Sequence, residues 1–134
     1  MNTPYDEIGG DAGVRALVDR FYDHMDALPE AAGIRAMHPS LSPRLADGEG
    51  ASSSREKLYW FLSGWLGGPQ LYVERKGHPR LRARHLPFSV GGSERDAWML
   101  CMRKALEETV PDVALRAGLE DAFARLATHM INRA

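Results

Sequence analysis

Gly77-His-Pro-Arg-Leu-Arg-Ala-Arg-His-Leu-Pro-Phe88 is the stretch of this sequence that says most about its fold and chemistry. Five of the eleven residues at positions 75–85 are Arg or Lys, two more are His, and no acidic residue interrupts them. His85 closes this basic run, and residues 86–88 begin an apolar wall directly after it. An imidazole between apolar surface and positive charge suits a planar, apolar cofactor that carries carboxylates and a metal, and haem fits that description.

Two other interpretations of the basic run stay open on composition alone. The whole chain has 17 basic and 18 acidic residues, so it carries no large positive net charge that would attract nucleic acid or an anionic membrane. We expect neither as a partner. A local basic run is ordinarily a solvated loop, or it can bind an acidic partner. A lone histidine is ordinarily solvated or packed, and we expect His24 and His129, which lie beside charged residues, in solvent.

The composition is that of one globular domain, which we expect to span residues 1–134. Apolar residues make up 44% and charged residues 26% of the chain, which are ordinary fractions for such a domain. Cys101 is the single cysteine, so no intrachain disulfide can form, and its apolar neighbours indicate a small buried side chain. The first residues lack the features of a secretory signal and no apolar run is long enough to span a bilayer, which predicts a cytoplasmic protein.

Helical periodicity runs through most of the chain and predicts an all-α fold. Thr3-Pro4 suits the start of a short helix with Thr as its cap, and Gly9-Gly10 stops that helix. Over residues 11–28 apolar side chains recur at three- and four-residue steps, which predicts a second helix that Pro29 ends. No segment shows both the alternation and the β-branched residues of a strand.

Three further helical patterns follow a segment of different composition. Residues 39–54 are rich in Pro, Ser, Gly and acidic residues, which predicts a mobile loop that buries no face. The helical patterns cover residues 55–66, a segment that opens at Ser93, and residues from near 112 to 131. Ser93 with Asp96 three residues later is a variant capping box, which is typical of a helix start.

The sequence resembles the group II truncated haemoglobins in three long motifs and in its opening. The motifs are Leu58-Tyr-Trp-Phe-Leu-Ser-Gly-Trp-Leu-Gly-Gly-Pro-Gln-Leu-Tyr72, the Gly77 to Phe88 stretch quoted above, and Glu94-Arg-Asp-Ala-Trp-Met-Leu-Cys-Met102; Tyr5-Asp-Glu-Ile-Gly-Gly10 and Phe21-Tyr22 match the opening. The resemblance covers nearly the whole chain. It implies a truncated globin fold, in which a two-over-two helical sandwich surrounds haem b (iron protoporphyrin IX).

Carried over position by position, the resemblance makes His85 the proximal ligand to the iron, with the sixth position open for a diatomic gas. Tyr22 and Trp98 match the family's distal tyrosine and tryptophan, whose O–H and N–H groups donate to the bound ligand. His38 falls where members of the family carry Tyr, Phe or His, and it either donates to the ligand or orients the Tyr22 hydroxyl. Two further residues match positions that line the distal side: Ser54 and Leu58.

The resemblance also implies contacts to the body of the cofactor. A haem propionate needs a cation, and Arg84, next to His85, is the expected partner. The residues expected behind Arg84 are Tyr72, Arg75 and His78. The expected apolar contacts are Phe61, Leu62, Phe88, Val90 and Met102. Residues 43–52 depart from the family pattern because they lengthen the connection between His38 and Leu58, so ligand access and the position of Ser54 depend on this segment.

These features predict a haem protein that binds dioxygen, carbon monoxide and nitric oxide at a five-coordinate iron. Nitric oxide dioxygenation or a peroxidase-like reaction would require an electron source, such as a reductase, that the sequence does not reveal, so enzyme status stays open. Both a monomer and a homodimer are compatible with the sequence. The alternative class is a cofactor-free helical interaction module that binds an acidic partner through residues 75–85, and it predicts a colourless protein.

Overall fold

Helices make up all the regular structure in the part of the chain that the structure describes. The computed structural model describes residues 2–38, 41, 44–47 and 53–133. The α-helices are α1 (Pro4–Glu7), α2 (Gly10–Ala27), α3 (Ala32–Ala36), α4 (Ser54–Trp65), α5 (Leu71–Lys76), α6 (Leu81–His85), α7 (Gly92–Thr109) and α8 (Val113–His129); short 3-10 helices cover Pro29–Ala31 and Leu45–Asp47. The all-α prediction is confirmed. Of the described helices, none has both the length and the apolarity needed to cross a membrane.

Local sequence explains how α1 begins and how it ends. Thr3 caps α1: its Oγ1 accepts a hydrogen bond from the Asp6 N–H at 3.2 Å, and its own N–H donates to Asp6 Oδ2 at 3.2 Å. Gly9 has a φ of 105°, a left-handed conformation that glycine adopts at little cost, and the chain turns there into α2. The predicted cap and stop of the first helix are therefore confirmed.

The core forms where the long helices meet. The most extensive packing joins α2 to α7, α7 to α8, and α2 to α4. The apolar stripe of α2 is buried at every predicted turn, with Val14, Leu17, Val18 and Phe21 fully inside. Cys101 lies on α7 in this core, and burial raises the pKa of its thiol to about 11, which makes it an unreactive apolar side chain.

The connection between α3 and α4 differs from its prediction. Leu41 and Leu45 are buried in the core, and the backbone N–H groups of Leu45 and Ala46 donate to the carboxylate of Asp19 at 2.8 and 3.1 Å. The expectation that residues 39–54 bury nothing is therefore wrong for these positions, because α2 supplies both an apolar surface and a buried acceptor. Residues 39, 40, 42, 43 and 48–52 of the predicted loop lie outside the described residues.

Two other local predictions need correction. Helix α7 begins at Gly92, so Ser93 lies inside the helix; the N-terminal contact is made by Glu94, whose carboxylate accepts from the Gly91 N–H at 2.7 Å. Asp96 pairs instead with its neighbour Arg95 at 3.0 Å. The short helices α3, α5 and α6 were not predicted, because five or six residues hold too little of a helical repeat to be recognised.

His24 is only partly exposed, which differs from the prediction that it lies in solvent, whereas His129 is exposed as predicted. The packing of α2 against α7 leaves the His24 side chain 18% exposed, with its Nε2 in contact with Oε1 of Glu108. The other oxygen of Glu108 pairs with Arg20 at 2.7 Å. Hydrogen bonds from these two side chains hold the pKa of Glu108 below its ordinary value. His24 thus belongs to a polar contact between two helices.

Candidate functional site

A cavity of about 630 Å³ lies between the helices, and elements from α2 to α8 contribute to its wall. Most of the wall is apolar, which is typical of a site for an organic cofactor, and the volume is in the usual range for such sites. The lining residues singled out by the sequence are Tyr22, His38, Ser54, Leu58, Phe61, Tyr72, Arg84, His85, Val90 and Trp98. The lining residues that it missed are Ile34, Met37, Lys57, Lys76, Leu81, Glu94, Arg95, Leu126, Ala127 and Met130.

His85 enters this cavity from the last residue of α6. Its Nδ1 lies 2.7 Å from the carbonyl oxygen of Leu81, one helical turn earlier. A carbonyl only accepts, so Nδ1 carries a proton, and in the neutral form of the ring Nε2 has a free lone pair. This is the arrangement found in metal-binding histidines, where a hydrogen bond on one ring nitrogen fixes the orientation and the basicity of the other.

Tyr22 and Trp98 bring two hydrogen-bond donors to the same cavity. Tyr22 projects from the buried face of α2 and is only 4% exposed. Trp98 comes from α7, with its ring centroid 5.0 Å from that of Phe21. Burial raises the pKa of Tyr22 well above its ordinary value, and nearby Arg55 only partly opposes this shift. The phenol therefore keeps its proton and remains a donor.

His38 reaches the cavity from the residues that follow α3. Its ring centroid lies 5.7 Å from that of Tyr22, and its Nδ1 is 2.7 Å from the Ile34 carbonyl oxygen. Burial lowers the pKa of His38, although the bond to Ile34 works in the opposite direction. The neutral ring therefore donates from Nδ1 to Ile34, and its Nε2 is an acceptor.

The start of α4 completes this side of the cavity. Ser53 caps the helix, since its Oγ accepts from the Glu56 N–H at 3.1 Å. Ser54, the first helical residue, and Leu58, one turn later, both line the cavity. The long connection before α4 therefore leaves both predicted positions at the cavity wall.

Cations lie at the exposed edge of the cavity. Lys57, Lys76 and Arg84 line it and are exposed, which places them at its mouth. Arg84 is oriented by a hydrogen bond from its Nε to the Pro79 carbonyl at 2.8 Å, and its guanidinium lies 5.8 Å from the Tyr72 ring centre. The two lysines were missed, although Lys57 directly precedes Leu58 and Lys76 lies one helical turn after Tyr72.

Arg95 adds a polar group to the wall. Its Nε is buried without a hydrogen-bond partner among the described residues, whereas its NH1 pairs with Asp96. A buried cationic N–H without a protein partner is uncommon, because leaving it unpaired costs free energy. Arg95 therefore contributes an incompletely paired cation to the cavity wall.

Five of the predicted cofactor contacts are not brought to this cavity. Leu62 and Met102 are fully buried in the core, because they face the neighbouring helices. Phe88 is 40% exposed. Arg75 lies over the ring of Trp60, 4.9 Å from its centre. His78 faces a smaller cavity of about 300 Å³, and its Nδ1 accepts from the Arg80 N–H at 3.1 Å.

Comparison with known proteins identifies the family of the chain. The family model described as bacterial-like globin matches residues 3–132. The group 2 truncated haemoglobin YjbI of Bacillus subtilis is 36% identical over 133 residues, which cover 99% of this chain and 91% of that protein.

Solved structures give the same result. A cold-adapted truncated haemoglobin from the Antarctic marine bacterium Pseudoalteromonas haloplanktis is 44% identical with a TM-score of 0.88, over 99% of this chain and 100% of that chain. A group II two-on-two haemoglobin from Agrobacterium tumefaciens is 48% identical with a TM-score of 0.87, over 100% of this chain and 97% of that chain. The chain therefore belongs to the bacterial-like globins, a family of haem- and oxygen-binding proteins, and it is a group II truncated haemoglobin with the two-over-two helical fold.

Proposed function

We propose that the cavity holds haem b, and that Nε2 of His85 would bind its iron. The observation that carries this proposal is the hydrogen bond between His85 Nδ1 and the Leu81 carbonyl, at 2.7 Å. In the neutral form of the ring this bond leaves Nε2 free to bind a metal, on a residue of the cavity wall. Among the described residues no group of three His, Cys, Asp or Glu side chains could hold a metal ion without a cofactor.

The remaining wall suits the other parts of haem. The apolar side chains match the porphyrin, and the cations at the mouth match its two carboxylates. Arg84 is expected to hold one carboxylate, with Lys57 and Lys76 as further cations. The size of the cavity, the hydrogen bond on His85 Nδ1 and the charges at the mouth all fit this cofactor.

When bound, haem would supply an iron with affinity for dioxygen, carbon monoxide or nitric oxide. The Tyr22 O–H and the Trp98 N–H would then donate to the diatomic ligand. The Nε2 of the neutral His38 ring accepts, so His38 does not donate to the ligand; its ring packs edge-on against Tyr22 and helps to position that side chain. Leu58 excludes water from this side.

Such donors favour a ligand that gains negative charge when it binds, as dioxygen does, over carbon monoxide. They therefore slow the release of dioxygen. Slow release suits sensing, scavenging or redox chemistry better than delivery.

The absorption spectrum of the haem-reconstituted protein tests this proposal. We expect a strong Soret band, a five-coordinate histidine spectrum in the ferrous form, and a stable spectrum after exposure to dioxygen. His85→Gly should lose the five-coordinate histidine spectrum and recover it when imidazole is added. A wild-type protein that stays colourless with excess haem would overturn the proposal, and residues 75–85 would then be tested for binding to an acidic peptide.

A further inference from the structure

Hydrogen bonds join Asn132 and Arg133 to the segment that follows His85. The Oδ1 of Asn132 accepts from the Val90 N–H at 2.9 Å. Its Nδ2 donates to the carbonyl oxygens of His85, at 3.2 Å, and Phe88, at 2.9 Å. The backbone N–H groups of Asn132 and Arg133 both donate to the Val90 carbonyl, at 2.8 and 3.2 Å. One side chain and its backbone thus hold residues 85–90 at both ends.

The other hydrogen bonds of this segment are local: the Phe88 N–H donates to the His85 carbonyl at 2.9 Å, and the Gly91 N–H donates to Glu94 at 2.7 Å. Residues 86–91 belong to no helix, and the side chains of Leu86 and Phe88 are 58% and 40% exposed. Apolar burial therefore contributes little until Val90, which is buried at the cavity wall. In a segment with so few apolar contacts, hydrogen bonds decide the path of the backbone.

The set of hydrogen bonds that the Asn132 side chain makes is specific to an amide. The side chain of Asn132 donates two hydrogen bonds and accepts one, a combination that needs an NH2 group and a carbonyl on one short stem. An aspartate could accept from Val90 but would set its negative charge against two carbonyl oxygens. A leucine of similar shape would make none of these bonds.

We propose that Asn132 is a positioning residue for His85. It holds the carbonyl of His85 itself, at the end of α6, and so helps to set the direction in which the imidazole enters the cavity. This inference rests on the proposed role of His85 as the axial ligand. The C-terminal tail, 47 residues away in sequence, thereby becomes part of the proximal side of the site.

Asn132→Leu and Asn132→Asp test this role in the haem-reconstituted protein. We expect both to shift or broaden the ferrous iron–histidine stretching band in the resonance Raman spectrum. We also expect haem to pass to an excess of a haem-scavenging protein about tenfold faster or more, as is usual when a residue that supports a metal ligand is lost. In the haem-free protein, Asn132→Leu should speed hydrogen exchange of the Val90 amide.

Two controls separate positioning from general stability. Arg116→Ala removes a side-chain hydrogen bond from α8 to the Val110 carbonyl, at 2.9 Å and away from the cavity. Leu119→Ala removes a buried side chain of α8 away from the cavity and should lower the melting temperature. Neither control should move the iron–histidine band.

The outcomes are distinct. Wild-type band position and haem loss in both Asn132 variants would overturn the positioning role while leaving the proposed function intact. A wild-type protein that takes up no haem would overturn both, and it would be recognised before any variant is compared.

Discussion

At the scale of single residues, Trp98 shows how one side chain can belong both to the core and to the site. Its ring packs 5.0 Å from Phe21 and 6.0 Å from Phe123, measured between centroids, while the residue also lines the cavity. Aromatic packing of this kind fixes the direction of the indole, so its N–H is held in place before any ligand arrives. The proposed recognition of a ligand by the indole therefore depends on the packing of the core at this position.

Trp98→Phe should keep most of the packing and remove the donor. We expect dioxygen to dissociate roughly tenfold faster, since a hydrogen bond of about 1.4 kcal/mol corresponds to a factor of ten. Stopped-flow replacement of dioxygen by carbon monoxide measures the rate. Trp65→Phe is the matched control, because Trp65 also packs on Phe123 but does not line the cavity; equal release rates in wild type and Trp98→Phe would contradict the distal role of the indole.

At the scale of helices, a buried ion pair joins α2, α4 and the connection that precedes α4. Arg55 and Asp19 are only 4% and 3% exposed and pair at 3.0 Å. Arg55 also donates to the Leu41 carbonyl and to Asp23, and its guanidinium lies 5.8 Å from the ring centre of Tyr22. This network therefore sets the position of α4 relative to the part of α2 that carries Tyr22.

Arg55→Met should lower the free energy of unfolding by about 3–5 kcal/mol, because it leaves the Asp19 carboxylate buried without its cation. Adding Asp19→Asn should recover part of that loss, since the charge is removed while an acceptor remains for the connection. Urea denaturation measures each variant. Arg103→Met breaks an exposed ion pair with Glu120 and should cost less than about 1 kcal/mol; a similar small cost for Arg55→Met would show that the buried pair is unimportant.

The same network makes stability depend on acid pH. Burial raises the pKa of Asp23, but hydrogen bonds from Arg44 and Arg55 outweigh it and hold the pKa below its ordinary value. The unfolded state therefore takes up the proton first, so this stabilisation is complete above the ordinary value of about 3.9 and is lost as pH falls through the folded-state pKa.

Asp23→Asn should consequently destabilise the protein at neutral pH, and its difference from wild type should shrink between about pH 5 and pH 3, around the ordinary value of an aspartate. Urea denaturation across this range gives the difference. Asp121→Asn, which removes an exposed carboxylate from α8, controls for the change in net charge. A difference that is constant with pH would rule out Asp23 as a source of the acid sensitivity.

At the scale of the whole molecule, the cavity affects the packing of the helices as well as ligand binding. About 630 Å³ of mostly apolar space lies against α2, α4, α7 and α8, so a cofactor bound there, as proposed, would complete the packing of the long helices. A ligand that binds only the folded state stabilises that state in proportion to the logarithm of its concentration over its dissociation constant. Haem uptake and folding are therefore expected to be linked.

Haem should raise the melting temperature of the protein. The free energy of unfolding should rise by roughly 4 kcal/mol when the haem concentration is a thousand times the dissociation constant of haem. Differential scanning calorimetry with and without haem measures the shift. His85→Ala should lose most of it, whereas His129→Ala, an exposed histidine at the end of α8, should keep it. The same melting temperature with and without haem in the wild type would mean that the cavity is not the haem site.

The sequence by itself determined the class of fold and the chemistry expected of the site. The long helices follow from apolar stripes and end signals that lie within 18 residues of one another, so they are visible locally. The three motifs indicated the family, and with it the roles of His85, Tyr22 and Trp98, which stay predictions that the experiments above test.

Only the tertiary structure decided which side chains share the cavity and what holds them there. Lys57 and Lys76 join its mouth, Leu62 and Met102 turn into the core, and Asn132 meets His85 across 47 residues. These facts depend on how helices pack and on which carbonyl or N–H group remains unpaired after packing. A local pattern shows which face of a helix is apolar, but it does not show which partner that face will meet.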